Sequence, residues 1–224
     1  MNVKRDLSGA FPAAVLWDMD GTLVDTEPYW MAEEHRLVEE HGGVWTDEHA
    51  KQLVGNDLMV SAVYILAHSP VELTPLEIVN ELLAGVVARV QEHVPWRPGA
   101  RELLEGLVAQ GVPCALVTMS WESLATAVVE NLPEGTFDAV ITGDVVQHGK
   151  PHPEPYLHAA RLLGVDLAAC VAIEDSPPGV ASAVAAGIRT IAVPHQVKVP
   201  ETVGAVQIAT LTGLTPADLL PLFG

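Results

Sequence analysis

Positive charge is scarce in this chain. Eleven Lys and Arg face 29 Asp and Glu over 224 residues, a formal net charge of -18, so the polyanionic backbone of a nucleic acid or an anionic bilayer is repelled over most of the surface. Neither nucleic acid nor a membrane is expected as a partner. An anionic ligand would have to be held locally, by a metal ion, helix N-termini or one of the few cations. Cysteine is nearly absent as well. Cys114 and Cys170 each sit inside an apolar run, PCALV and ACVAI, which suits buried thiols in a reducing, cytoplasmic setting better than a disulfide framework. No run approaches the roughly 18 apolar residues of a membrane span. The N-terminal MNVKRDLSGAF has no apolar stretch of signal-peptide length behind its cations. The nine histidines are scattered, and His148 and His152, which flank Lys150, lack the company that a zinc site needs. No internal repeat is visible.

What is present describes a globular protein. Hydrophobic residues make up 49% and charged residues 18%, and Gly and Pro number 18 and 17. A chain of 23.8 kDa hides roughly 70% of its unfolded surface on folding. Short apolar runs at 13–17, 112–117, 139–142, 170–173 and 189–193 read as strands. They alternate with helical patterns at 100–110, 122–131, 153–163 and 178–186, mostly ended by a glycine. This is the signature of a doubly wound α/β core around a parallel sheet. One interval breaks the rhythm. Amphipathic stretches at 29–41, 47–54, 59–68 and 75–93 carry no strand-like alternation, and they form too long an insert for an ordinary connection. An all-helical second domain is expected at 28–94, inserted into a core of residues 1–27 and 95–224, with the chain crossing near Thr26 and Pro95.

In open parallel sheets, ligands sit outside the carboxyl ends of the strands. Asp18-Met19-Asp20-Gly21-Thr22 follows the first strand and Thr118 the second. Lys150, one of only four lysines, follows the third, and Glu174 and Asp175 follow the fourth. Clustered carboxylates repel unless a hard cation neutralises them, and the pattern asks for Mg²⁺. Beside such an ion one aspartate could attack phosphorus and a second could move protons, while a lysine and a hydroxyl hold phosphoryl oxygens.

DMDGTLVDTEP, a strand ending in Thr118, Lys150-Pro151 and IEDSPPG, in this order, resemble the haloacid dehalogenase superfamily. The branch of phosphatases and phosphoglucomutases with a helical cap is the most similar. The resemblance implies that Asp18 is nucleophile and metal ligand, and that Asp20 is general acid and base and lends its backbone carbonyl to the metal. It implies that Thr118 and the Met119 N–H hold a phosphoryl oxygen, that Lys150 bridges nucleophile and phosphoryl group, and that Asp175 with adjacent Glu174 completes the Mg²⁺ site. Two departures stand out. The family often has Asn or Ser directly after the hydroxyl residue, whereas Met119 precedes Ser120 here, so no side-chain contact is assigned to that position. Related mutases carry a cap-loop Gly-x-x-Arg for a second phosphate, and the matching Gly55-Asn56-Asp57-Leu58 has an acid but no cation.

The expectation is a Mg²⁺-dependent phosphatase that hydrolyses a small phosphorylated metabolite through an aspartyl phosphate. A phosphosugar mutase is the alternative, and a non-catalytic phosphometabolite-binding protein is a third reading. A dehalogenase is excluded because that reaction needs neither the metal nor an acid at Asp20. Trp30, Trp45, Trp96 and Trp121 are candidate cleft residues, and Lys51 is expected to be solvated.

Overall fold

The computed structural model describes residues 11–224; the first ten residues, which open the expected core segment and the stretch weighed as a leader, lie outside it. Six parallel strands form one sheet in the order β3-β2-β1-β4-β5-β6. They are β1 (Val15–Trp17), β2 (Cys114–Val117), β3 (Ala139–Ile141), β4 (Val171–Glu174), β5 (Arg189–Ala192) and β6 (Ala205–Gln207). The first five coincide with the expected apolar runs to within a residue. The sixth is an addition, a short edge strand paired with β5.

Alternation within the strands explains the layering. Val15 and Trp17 face one side, where they pack with Leu103, Leu104 and Leu107 of α5 (Ala100–Ala109) and Leu124 and Val128 of α6 (Glu122–Val129). Leu16 faces the other, against Tyr156 and Ala159 of α7 (Glu154–Leu163) and Ala183 of α8 (Pro177–Ala185). A parallel sheet covered on both faces needs strands apolar on both sides, and β1, β2 and β4 are fully buried. Both cysteines are buried and unpaired.

Between β1 and Pro95 the chain builds four helices and no strand. These are α1 (Glu27–Glu40), α2 (Asp47–Lys51), α3 (Leu58–His68) and α4 (Pro75–Glu92). Two of them begin on side-chain caps. Asp57 accepts hydrogen bonds from the Met59 and Val60 N–H groups at 2.9 and 3.3 Å, and Thr74 with Glu77 forms a capping box. Helix α4 lies against α1 and α3. The two crossings into this helical insert are tied together, Asp25 N–H donating to Pro95 C=O at 2.7 Å and Arg97 N–H to Leu23 C=O at 2.9 Å. Among the described residues no helix is long and apolar enough to cross a membrane.

Candidate active site

The strand order reverses direction beside β1, and a crevice opens there outside the strand ends. Register sets what reaches it. Trp17 is level with Leu116 of β2 and with Ile173 of β4, so Asp18, Val117 and Glu174 arrive at one height. Asp18, Glu174 and Asp175 are all buried, and their oxygens lie within 4.8 Å of one another. Gly21 makes this possible. Its φ of +85° suits glycine, and a Cβ there would collide with the Asp175 carboxylate.

One cation serves the cluster. Buried Lys150 reaches Asp18 Oδ1 at 2.7 Å and Glu174 Oε1 at 2.6 Å, and donates to the Val117 carbonyl at 2.8 Å. Burial alone would lower its pKa, but Asp18 and Glu174 hold it above the ordinary lysine range. The acids feel the opposite pressure. Burial, then the charge of Asp18, pushes Glu174 up to about 7, and burial with Asp18 and Glu174 pushes Asp175 well above the carboxylate range. Tyr156, read from the sequence as one more residue of an amphipathic helix, donates to Glu174 Oε1 at 2.6 Å, and its ring lies 5.4 Å from the Lys150 ammonium.

Two oxygens of this cluster, Asp18 Oδ2 and Glu174 Oε2, are buried without a hydrogen-bond partner. Orphaned acceptors beside three crowded carboxylates fit a hard divalent cation, which removes both the repulsion and the unsatisfied lone pairs. The donor set is all oxygen, as magnesium prefers.

Asp20 stands apart from that cluster. Its Oδ1 accepts from Thr26 Oγ1 at 2.5 Å and lies 3.5 Å from Trp30 Nε1; its Oδ2 accepts from Thr118 Oγ1 at 3.2 Å and Ser120 Oγ at 2.8 Å. Burial raises its pKa against the bond from Thr26, and the Asp18 charge adds to the rise. Ser120 therefore makes a contact that the sequence left unassigned: Met119 takes the intervening position, and the chain turns so that Ser120 rejoins Thr118 over Asp20. Thr118 donates to Asp20 and accepts from the Ser120 N–H at 3.0 Å. Met119 has a packing role, its sulfur receiving the Lys150 N–H at 3.1 Å.

The roof comes from the helical insert. A cavity of about 70 Å³ above Asp18 and Asp20 is lined by Trp30, Glu27 and Glu34 of α1, Ser61 of α3 and Leu82 of α4, among others. Of the four candidate tryptophans, only Trp30 lines it. Trp45 is buried in the insert, stacked on His49 and donating to Glu34 Oε2 at 3.1 Å, Trp96 lies beneath Arg101 and Trp121 precedes α6. Leu58 lines the cavity, whereas Asp57 is spent on capping α3. Lys51 is exposed. His148, His152 and Glu154 do come together at the surface, and they satisfy one another: His148 Nδ1 lies 2.9 Å from Glu154 Oε2, and the Glu154 N–H donates to His152 Nδ1 at 3.2 Å.

Glu27 and Glu34 were invisible as site residues, although a signal existed. Positions 27, 30, 34 and 37 recur at helical spacing on the buried face of α1, and an acid at such a position is out of place unless something meets it.

The profile of haloacid dehalogenase-like hydrolases matches residues 15–193. Hexitol phosphatase B of Escherichia coli (strain K12) is 33% identical over 215 residues, covering 92% of this chain and 96% of its own. A phosphorylated carbohydrates phosphatase of Thermotoga maritima is 33% identical over 187 residues, 80% of this chain and 83% of its own. The crystal structure of CbbY from Rhodobacter sphaeroides in complex with phosphate superposes with a TM-score of 0.84 at 27% identity, over 93% of this chain and all of that one. The chain belongs to the haloacid dehalogenase-like hydrolases.

Proposed function

We propose that this enzyme, a phosphomonoester hydrolase, releases phosphate from a small phosphorylated metabolite of the sugar-phosphate kind by way of an aspartyl phosphate on Asp18. The single observation that carries the reading is the state of the Asp18 carboxylate. One oxygen is held by Lys150 at 2.7 Å, the other is buried and unpartnered, and the residue lines the cavity. An oriented, desolvated carboxylate oxygen with no competing donor is a nucleophile. The relatives' activities, on hexitol phosphates and phosphorylated carbohydrates by their names, agree with it.

Asp18, Glu174 and Asp175, with the Asp20 carbonyl, would hold Mg²⁺, and the ion would neutralise charge on the phosphoryl oxygens and on the crowded carboxylates. Asp18 attacks phosphorus. Asp20, kept above its ordinary pKa, has a proton to give to the leaving alkoxide and an accepting oxygen for the water that follows. Thr26, Thr118 and Ser120 fix its orientation. Lys150 binds Asp18 and, once phosphate arrives, shares its charge with a phosphoryl oxygen. The insert excludes water: Gly55 of its loop approaches Ser176 of the core closely enough that a Cβ would lie 3.2 Å from the serine Cβ. A mutase would need to grip a distal phosphate, and the loop 55–58 contributes no cation.

The test is a panel of phosphorylated metabolites assayed for free phosphate with Mg²⁺ and with excess EDTA. Metal-dependent phosphate release supports the reading; rapid isomerisation of a hexose phosphate with little phosphate released overturns it.

A further inference from the structure

We propose that Glu27 and Glu34, on the roof of the cavity, read hydroxyl groups on the organic part of the substrate, so that the enzyme selects polyhydroxylated monophosphates with an uncharged tail against substrates with a second anion. The inference rests on the phosphatase reading above and names which residues give it specificity.

Glu27 carries the argument. It is only 7% exposed, it lines the cavity, and its carboxylate has no hydrogen-bond partner among the described residues. Leaving a carboxylate buried and unpaired costs free energy that a leucine or glutamine at the same place would avoid. Glu34 repeats the pattern two turns along the helix. It is 4% exposed, its Oε2 accepts from Trp45, and its Oε1 receives no donor from the described residues. Ser61 adds a hydroxyl to the same wall, and Trp30, Val79 and Leu82 supply the apolar surface between these polar groups.

Among the described residues Lys150 is the one cation that lines the cavity, and it is committed to Asp18, Glu174 and a carbonyl at the far side. The roof therefore offers acceptors and negative charge, with nothing to neutralise an anion. A hydroxyl fits that surface in either protonation state of the acids, because it both donates and accepts. A second phosphate or a carboxylate in the same place would meet like charge in a dry pocket, an arrangement that rejects ligands as firmly as good contacts select them. Burial and the neighbouring charge of Asp20 raise Glu27 to about 8, and burial raises Glu34 to about 7, as expected of carboxyls whose surroundings contain no cation.

The test compares sorbitol 6-phosphate, fructose 1,6-bisphosphate and p-nitrophenyl phosphate, which has no hydroxyl tail, on the full-length enzyme with Mg²⁺ and on Glu27→Gln, Glu27→Leu and Glu34→Gln. The wild type should prefer the polyol monophosphate to the bisphosphate. Glu27→Leu should lose about tenfold to a hundredfold in kcat/KM on sorbitol 6-phosphate, chiefly through KM, as for a hydrogen bond to a charged group, with p-nitrophenyl phosphate changed by less than about threefold. Glu27→Gln and Glu34→Gln should narrow the gap to the bisphosphate. Equal losses on all three substrates, or a wild type that prefers the bisphosphate, would overturn the proposal. Calorimetry on Asp18→Asn keeps the two readings separable. If the wild type releases phosphate from no substrate, the phosphatase reading falls, and tighter binding of sorbitol 6-phosphate than of the bisphosphate still supports the specificity of the roof, whereas the reverse order overturns it.

Discussion

Glu33 and Glu34 are neighbours on α1, each 4% exposed, and the fold treats them in opposite ways. Glu33 points toward α4 and is neutralised twice, by Arg36 at 2.7 Å and Arg89 at 2.8 Å, whose guanidinium groups reach in from the solvent side. Gly85 of α4 leaves room for it, since a Cβ there would run into the carboxylate. Glu34 points about 100° further around the helix, into the insert beside the cavity, and receives a single indole N–H. Burial alone does not say whether an acid is structural; its partners do. The floor of the site shows both conditions in one place, because Asp18 and Glu174 each have one oxygen on Lys150 and one oxygen with no partner. In this molecule the unpaired carboxyl oxygens collect around the cavity.

The largest effects should come from the floor. Asp18→Asn replaces the attacking oxygen with a poor nucleophile, so both steady-state turnover and trapped phosphoenzyme should vanish on every substrate. Residual activity above about a thousandth of the wild type would remove Asp18 from the role of nucleophile. Asp20→Asn should discriminate among leaving groups. General acid help is typically worth about 10² to 10⁴. Alkyl phosphates should lose that much, while an aryl phosphate, whose phenolate leaves without much protonation, should still phosphorylate Asp18 readily. Equal losses on the two classes, with metal affinity intact, would sink the assignment.

Lys150→Ala sharpens the contrast between paired and unpaired acids. It strands Asp18 and Glu174 together, and breaking a buried pair from one side costs about 3–5 kcal/mol. Magnesium should return part of that loss, by binding the folded state alone. A urea titration with and without Mg²⁺ measures both, and a variant whose stability ignores the metal would show that the three carboxylates do not form its site.

Much of the floor is legible in the sequence, for a physical reason. A parallel sheet forces its ligands to strand ends, so Asp18, Thr118, Glu174 and Asp175 announce themselves by following apolar runs, and Lys150 stands out because lysine is rare here. Residues that act through tertiary geometry are not legible in the same way. Tyr156 reads as an ordinary core position of α7, and only the fold brings its hydroxyl to Glu174. Ser120 depends on the turn after Thr118. Strand β6 is three residues on a sheet edge behind a polar loop, with no apolar run to mark it. The four helices of the insert are visible from their periodicity, but the same periodicity hides Glu27 and Glu34 among apolar neighbours on the face of α1 that becomes the roof.

The two neighbours on α1 give a smaller and more direct test. Glu33→Gln leaves two guanidinium groups without their carboxylate and should destabilise by about 1–3 kcal/mol. Glu34→Gln keeps an acceptor for Trp45 and removes a charge that nothing neutralises, so it should be neutral or stabilising. Equal destabilisation by the two in chemical denaturation would mean that Glu34 has a partner the structure does not show.

The smallest effect is a dependence of stability on pH that should belong to the roof. Glu27 and Glu34 titrate near 4.5 in the unfolded chain and at about 8 and about 7 in the folded one, raised first by burial. Between those values the folded state binds more protons than the unfolded state. Stability is therefore fullest below about 4.5 and falls as pH climbs, until Glu34 is ionised above about 7 and Glu27 above about 8. Each unit of separation is worth about 1.4 kcal/mol before relaxation and water penetration reduce it. Saturating Mg²⁺ should quiet the floor acids, leaving the roof to be isolated by subtraction. The melting temperature of Glu27→Gln minus that of the wild type should be near zero at about pH 5, where folded Glu27 is already neutral, and should grow to several degrees by about pH 8.5, where the wild type must bury the charge beside Asp20, Asp25 and Glu34. A difference that stays constant across this range would mean that Glu27 finds a compensating partner, and would remove the contrast between an acid that is paired and one that waits for a ligand.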